Sequence, residues 1–177
     1  MMEKGQLMSR NYWWANQALC WKEDRAQGYI AGPLCGRNGK KFQHYSNLGK
    51  LNPGDVILHA PSTGLESISQ VTDLPQKVVM PAHVAKIYRS SGQEEGWVCK
   101  VEYFDLINGG VGAWSVPSNW KNNIPKWLRE SGGTGIYRKD GQVKAGLLWP
   151  ITEYFVDELK KLFPDVWPPG CPLVESD

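Results

Sequence analysis

The sequence predicts a small α+β domain, a barrel-like sheet of short strands with few helices around it. Three observations point there. Apolar residues come in short runs bounded by turn signals, as in "NPGDVILHA" (52–60), where Val56, Ile57 and Leu58 follow a turn over Asn52–Asp55. "GWVCKVEYFDL" (96–106) alternates its side chains with the period of two that a strand requires. "PITEYFVDELKKLF" (150–163) has the spacing of an amphipathic helix and is the best helical segment of the chain. At 177 residues the chain fits one domain, large enough to bury a core without disulfides or a metal.

Taken in order, Tyr12–Ala15 reads as the first strand and Gly28–Ala31 as a short extended piece before a turn at Gly32-Pro33. "GRNGKKFQHYSNLGKL" (36–51) is a Gly-rich basic loop leading into a short helix around Phe42–Leu48, which Gly49 ends. Val56–Leu58 is a buried strand, and "GLESISQVTDL" (64–74) is its hairpin partner. Pro75 to Gly96 carries two prolines and weak periodicity, so it reads as an excursion from the core. "INGGVGAWSVPSNWKNNIP" (107–125) is a long Gly/Asn/Trp loop, and loops of that length in compact domains are usually functional. Asp140-Gly141 is a turn dipeptide. Thr152 is placed to cap a C-terminal helix over Tyr154–Leu162, with Tyr154, Phe155, Leu159 and Leu162 on its apolar face. The expected layout is an N-terminal extension (1–10), one domain (11–163) and a Pro-rich acidic tail or linker (164–177).

Charge is uneven along the chain. Residues 1–50 hold eight Lys/Arg against three Asp/Glu, a net +5, whereas 151–177 hold two against six, a net −4. A basic first third with aromatic residues among its charges points toward nucleic acid. Its candidate phosphate contacts are Arg10, Lys22, Arg25, Arg37, Lys40 and Lys41. Cys20, Cys35, Cys99 and Cys171 lack metal-ligand spacing, no segment is a membrane span, and the expected setting is cytoplasmic with reduced thiols. No motif for nucleotide phosphates, a serine nucleophile or a zinc hydrolase is present, so no cofactor or metal is implied and catalysis has little support. His44, His59 and His83 each stand alone in sequence; of these His59, at the end of a buried strand, is the candidate base of the remaining enzymatic alternative, a small nucleotide-acting enzyme.

Nine Trp is several times the ordinary share, and an indole is costly to bury unless its N–H is satisfied. "NYWWANQ" (11–17) sets three rings against two amides. Neighbouring side chains on a strand face opposite ways, so one of Trp13 and Trp14 faces inward, and Asn16 and Gln17 are the functional candidates of this stretch. Trp149 and Trp167 are expected to pack the closing helix. Trp114 and Trp120, in the Gly-rich loop, are the rings least explained by packing.

Together "NYWWANQ", "GYIAGP" (28–33), "GKLNPGDVILHAPSTGLESISQVTD" (49–73), "GWVCKVEYFDL" and "KAGLLWPITEYFVDEL" (144–159) resemble the EVE domain. That family belongs to the PUA-like pseudo-barrels with the YTH and ASCH domains, and the nearest pattern is the version fused to HNH nucleases and Mcr-type restriction GTPases. The resemblance covers about residues 11–163. It implies a non-catalytic reader that flips a methylated or hydroxymethylated base out of duplex DNA into an aromatic cage. It would serve as the specificity module of a modification-dependent restriction system, beside a nuclease or motor domain and away from membranes. An RNA-binding YTH/PUA-like reader of methyladenosine or structured RNA is the alternative. 5-Methylcytosine or another 5-substituted cytosine is the first ligand expected, and N6-methyladenine the second. Carried over by position, Asn16 and Gln17 fall where the first strand passes the base edge, and Trp114 where a cage wall stands. The family pattern "GY-x-W-S-P" has Trp where this chain has Ala31, so that wall is missing, is supplied by Tyr29, or leaves the pocket wider. A further cage position falls near Lys100, where Trp97 and Tyr103 are close enough to substitute. The expected pocket is therefore Asn16, Tyr29, Ala31, His59, Trp97 and Trp114, with Gln17 and Tyr103 at its rim.

Overall fold

A computed structural model describes residues 10–17, 19–61, 64–88, 94–109, 136 and 146–174. Its centre is one curled, half-barrel sheet of seven strands: β1 (Tyr12–Ala15), β2 (Tyr29–Pro33), β3 (Val56–His59), β4 (Ser67–Val71), β5 (Gln76–Val79), β6 (Glu95–Asp105) and β7 (Leu148–Ile151). The order across the sheet is β2-β6-β4-β3-β1-β7, with β5 added to β6. β1 and β3 run parallel, Trp13 facing Ile57 in register; the other pairings are antiparallel. β6 is long enough to serve two neighbourhoods. Its first half lies between β2 and β5, and its second half pairs with β4.

The aromatic block of β1 is explained by a sheet buried on both faces. Trp14, Val56, Leu58 and Ile68 point to one side, into a cluster with Phe155, Leu159 and Trp167. Trp13, Ala15 and Ile57 point to the other, with Ile30, Leu48, Cys99 and Leu148. Both indoles are buried. Trp14 meets Phe155 edge to face at 6.4 Å, a geometry that adds about 0.5–1.5 kcal/mol to simple burial. Trp13 satisfies its N–H on Asp55 Oδ2 at 3.0 Å. Asp55, the turn residue before β3, also accepts from the Asn11 and Asn52 main-chain N–H groups and so ties the starts of β1 and β3 together.

Among the described residues, four α-helices flank the sheet: α1 (Trp21–Gln27), α2 (Gln43–Ser46), α3 (Ala82–Ile87) and α4 (Glu153–Leu162). α4 is capped as its sequence suggests, Thr152 Oγ1 accepting from Phe155 N at 3.1 Å. Its inward residues are Phe155, Val156 and Leu159, whereas Tyr154 and Leu162 are exposed, so the apolar face is rotated from the expected one. Two further corrections concern packing. The Pro75–Gly96 stretch contributes β5 and α3, with Met80, Val84 and Ala85 buried. The tail folds back: Trp167, Cys171 and Leu173 join the main core, so residues 164–174 are part of the domain and not a linker.

α1 has no apolar stripe, because its inward residue is Asp24, fully buried. Gly28, in the left-handed conformation at φ 70°, ends it and turns the chain into β2. That helix with a carboxylate on its inner face sets up the site.

Candidate functional site

Five of the expected pocket residues meet around Asp24, but as a sealed polar lattice and not as the walls of an opening. Asp24 accepts from Gln17 Nε2 at 3.0 Å, from Ala31 N at 3.2 Å and from His83 Nε2 at 2.7 Å. Gln17 uses its carbonyl oxygen to accept from His59 Nδ1, and His59 Nε2 takes the Ser69 hydroxyl at 2.7 Å. These partners fix a neutral imidazole, one nitrogen donating and the other accepting. The Tyr103 hydroxyl donates to the Tyr29 carbonyl at 2.8 Å, and its ring lies 4.9 Å from His59. Trp21 covers His59 from outside at 5.3 Å, and Tyr29 stacks on His83 at 6.1 Å and 16°.

The lattice is dry. Asp24, His59 and Ser69 are each 0% exposed and Gln17 only 2%. Burial raises the Asp24 carboxyl to about 6 against hydrogen bonds from His83, Ala31 and Gln17 that pull it down. Burial also drives His59 down to about 3, so it stays neutral throughout the physiological range. Ser69, His59 and Gln17 have the order of a nucleophile, a base and an orienting group. A hydroxyl with no exposed surface cannot meet a substrate, and an imidazole of such low basicity is a poor proton acceptor.

Asn16 and Trp97 lie elsewhere, and Ala31 joins the lattice through its main-chain N–H. Asn16 is expected at a base edge, but its Oδ1 accepts from Trp14 Nε1 at 3.0 Å and its Nδ2 donates to the Gly146 carbonyl at 2.9 Å, stitching β1 to the segment before β7. Ala31 is fully buried with Cys20, Met80, Val84 and Ala85, a small residue in a filled space that leaves no wider pocket there. Trp97 packs against the second core cluster beneath Lys77, whose Nζ is 5.2 Å from its ring centroid. Trp114 and Trp120 fall outside the described residues.

Beside the lattice, and reaching solvent, is a cavity of about 490 Å³ that the sequence pattern does not assemble. Phe42, Tyr45 and Tyr88 give it three rings: Phe42 and Tyr45 meet at 5.9 Å and 89°, Tyr45 and Tyr88 at 5.6 Å and 90°. Met80 and Ile87 add apolar surface, Arg37 and Glu94 add opposite charges, and Cys35 adds a thiol. Burial raises the pKa of both tyrosines, so they line the space as neutral hydroxyls. Its outer wall is a compact turn, closed by Gly36 N to Lys40 O at 2.8 Å, Gly39 N to Gly36 O at 2.9 Å and Lys40 N to Asn38 Oδ1 at 3.1 Å. A Cβ on Gly36 would stand 2.4 Å from the Phe42 ring, so that ring holds its place only against a glycine. The one signal of it in the sequence is "KKFQHYS", aromatic residues interleaved with lysines.

The expected phosphate contacts divide. Arg37, Lys40 and Lys41 are exposed; Arg37 lines the cavity, and Lys40, at the end of the turn, has its Nζ 5.7 Å from the Phe42 centroid. Arg10 is occupied by the Pro172 carbonyl at 2.7 Å, and Arg25 is paired through both nitrogens with Asp105. Lys22 shares with Arg25 a cavity of about 460 Å³ that also holds Glu66 and Asp105, carboxylates that disfavour a phosphate there. Among the described residues, no cluster of His, Cys, Asp or Glu is arranged for a metal, and no helix is long and apolar enough to cross a membrane.

The class that fold and site define is an α+β half-barrel with a solvent-reaching aromatic cavity beside a buried polar brace. No family model matches the chain, and no curated protein does. Solved structures do share its fold. Protein PSPTO5229 from Pseudomonas syringae is 13% identical, with 85% of this chain and 98% of that one covered and a TM-score of 0.53. Protein Atu2648 from Agrobacterium tumefaciens is 16% identical, with 89% and 99% covered and a TM-score of 0.50. A hypothetical protein from Leishmania major is 10% identical, with 87% and 94% covered and a TM-score of 0.50. At such identities the likeness concerns the fold alone.

Proposed function

We propose that this chain is a non-catalytic reader of modified bases in DNA, of the PUA-like, EVE-type class, which lodges a flipped base in the cavity of Phe42, Tyr45 and Tyr88. The observation that carries the reading is a cavity in which Tyr45 stands perpendicular to both Phe42 and Tyr88, with Arg37 in its lining and Lys40 and Lys41 exposed close by in the chain. A base stacked on one ring meets the edge of the next, and stacking is worth about 1–3 kcal/mol per base. The cations above it suit the flanking phosphates, which give affinity without sequence information. Met80 and Ile87 offer apolar surface to a 5-methyl group, worth about 0.8 kcal/mol when fully buried. The sealed state of His59 and Ser69 speaks against the enzymatic alternative. The ordered motifs that resemble those of EVE domains support a role as the specificity module of a modification-dependent restriction system.

The test is binding to duplexes carrying 5-methylcytosine, 5-hydroxymethylcytosine or N6-methyladenine, beside unmodified DNA and single-stranded RNA with N6-methyladenosine. Tyr45→Ala should lose about 1–3 kcal/mol on the preferred modified substrate and leave unmodified DNA untouched. Neutralising Lys40 and Lys41 together should weaken all duplexes alike and reduce the salt dependence, by about 0.9 in slope for each phosphate no longer neutralised. Preference for the RNA would move the protein to the methyladenosine readers. A folded Tyr45→Ala protein that binds every modified duplex like the parent would refute the cavity as the base site.

A further inference from the structure

We infer that the aromatic cavity admits bases carrying an exocyclic amino group and rejects uracil-type bases, with Glu94 as the acceptor that makes the distinction and Arg37 as the donor opposite in character. The inference rests on the base-reading function proposed above and concerns what such a site must solve. A wall that feels a 5-methyl group cannot separate 5-methylcytosine from thymine, because both carry that methyl and both stack alike. They differ along one edge. Cytosine presents an amino donor where thymine presents a carbonyl, and a bare ring nitrogen where thymine presents N–H.

Most groups in the cavity cannot read that difference. The hydroxyls of Tyr45 and Tyr88 donate and accept equally well, and the Cys35 thiol and Met80 thioether are weak in either role. Glu94, as a carboxylate, only accepts, and Arg37 only donates. A carboxylate is the natural partner of the cytosine amino group, and facing it with the thymine carbonyl sets acceptor against acceptor. Both groups are held by main chain. The Glu94 carbonyl accepts from Met80 N at 3.0 Å, fixing the entry to β6 against the end of β5. Arg37 rides on the hydrogen-bonded turn of residues 36–40. They reach the cavity from separate elements, so the two polar edges of a base can be met independently.

The experiment compares oligonucleotides with 5-methylcytosine, thymine or cytosine at one position, each opposite an abasic site so that extrusion costs are alike. Affinities of the parent chain and Glu94→Gln are read by fluorescence anisotropy. The parent should bind 5-methylcytosine at least about tenfold more tightly than thymine. Gln can donate as well as accept, so Glu94→Gln should bring that ratio to within about threefold while 5-methylcytosine remains preferred over cytosine. A parent that prefers 5-methylcytosine to cytosine yet binds thymine equally well overturns the inference and leaves the base-reading function standing. A variant that keeps the parent's full preference removes Glu94 as the reader. Binding indifferent to the methyl group in the parent overturns this inference, and a parent that also fails to prefer duplexes with N6-methyladenine or 5-hydroxymethylcytosine overturns the proposed function.

Discussion

Replacing Asp24 with Asn should stabilise the protein above neutrality and leave it unchanged in mild acid. The carboxyl is fully buried, and burial raises its pKa from 3.8 to about 6 despite three hydrogen-bond donors. A folded-state pKa above the unfolded one means that the stabilising contribution is complete below about pH 4 and is lost as pH rises through 6. Above that, the folded chain carries an ionised group in a dry site. A shift of about two units at about 1.4 kcal/mol each makes the difference on the order of 3 kcal/mol. Asparagine can keep the geometry: its oxygen takes the place of Oδ2, accepting from Gln17 and Ala31, and its amide donates to the His83 ring nitrogen, which 2.7 Å already separates from Oδ1. Urea unfolding of both proteins at pH 8 and pH 4 reads the effect. The change in stability on substitution should be about 3 kcal/mol more favourable at pH 8 than at pH 4, and any constant packing cost cancels in that comparison. An equal effect at both pH values would show that Asp24 folds without a burial penalty, and the account of the lattice would fail.

Two other outcomes rest on the same packing. His59 has the opposite sign: its folded pKa of about 3 lies below the usual 6.5, so its contribution is intact above 6.5 and drains away as pH falls toward 3. His59→Gln should therefore lose about 3 kcal/mol less than the parent between pH 7 and pH 4, and acid unfolding curves with the parent's slope would refute this. Trp167, 8% exposed in the main core, should cost about 3–5 kcal/mol as Ala in urea unfolding, whereas a loss below about 1 kcal/mol would return the tail to linker status.

Local pattern is legible in this sequence, and contacts made through space are not. Turn chemistry at Asn52–Asp55 and period-two alternation locate β3 and β6, and the Thr152 cap locates α4. α1 escapes a periodicity reading because "WKEDRAQ" carries no apolar stripe; its buried face is one carboxylate whose partners lie on other elements. The tail imitates a linker because of its four prolines, while Trp167, Cys171 and Leu173 are buried in a core cluster with residues of distant segments such as Trp14, Val56 and Ile68. The site shows the same division. Gln17, Tyr29, Ala31, His59 and Tyr103 do gather in one place, but a sequence cannot say whether a set of polar and aromatic side chains faces ligand or one another. His59 and His83 look solitary because Gln17 and Asp24 join them through space. Phe42 and Tyr45 lie in view among lysines, yet their partner Tyr88 is more than forty residues away on the far end of α3.

The lattice and the cavity belong to one mechanical unit. Ser69 stands on β4, His59 on β3, Gln17 just after β1, Asp24 on α1, Ala31 on β2 and His83 on α3. A continuous run of hydrogen bonds thus braces the β1-β3-β4 side of the half-barrel against the β2-β6-β5 side, where a curled sheet left open has least support. The brace ends on His83 in the first turn of α3, and the last turn of that helix delivers Ile87 and then Tyr88 to the cavity. The next layer is the turn of residues 36–40, which holds Phe42 against Gly36. Stacking rewards a ring only if it is already in place when the base arrives, since ordering it then would consume the 1–3 kcal/mol or so that stacking yields. A dry, fully satisfied polar network does this better than an apolar filling. Its hydrogen bonds have fixed lengths and directions, and each broken one leaves a buried group unpaired at about 1–3 kcal/mol. In the proposed function, the burial penalty on Asp24 is the cost of that rigidity, and the ring carried at the end of α3 is where it would be used.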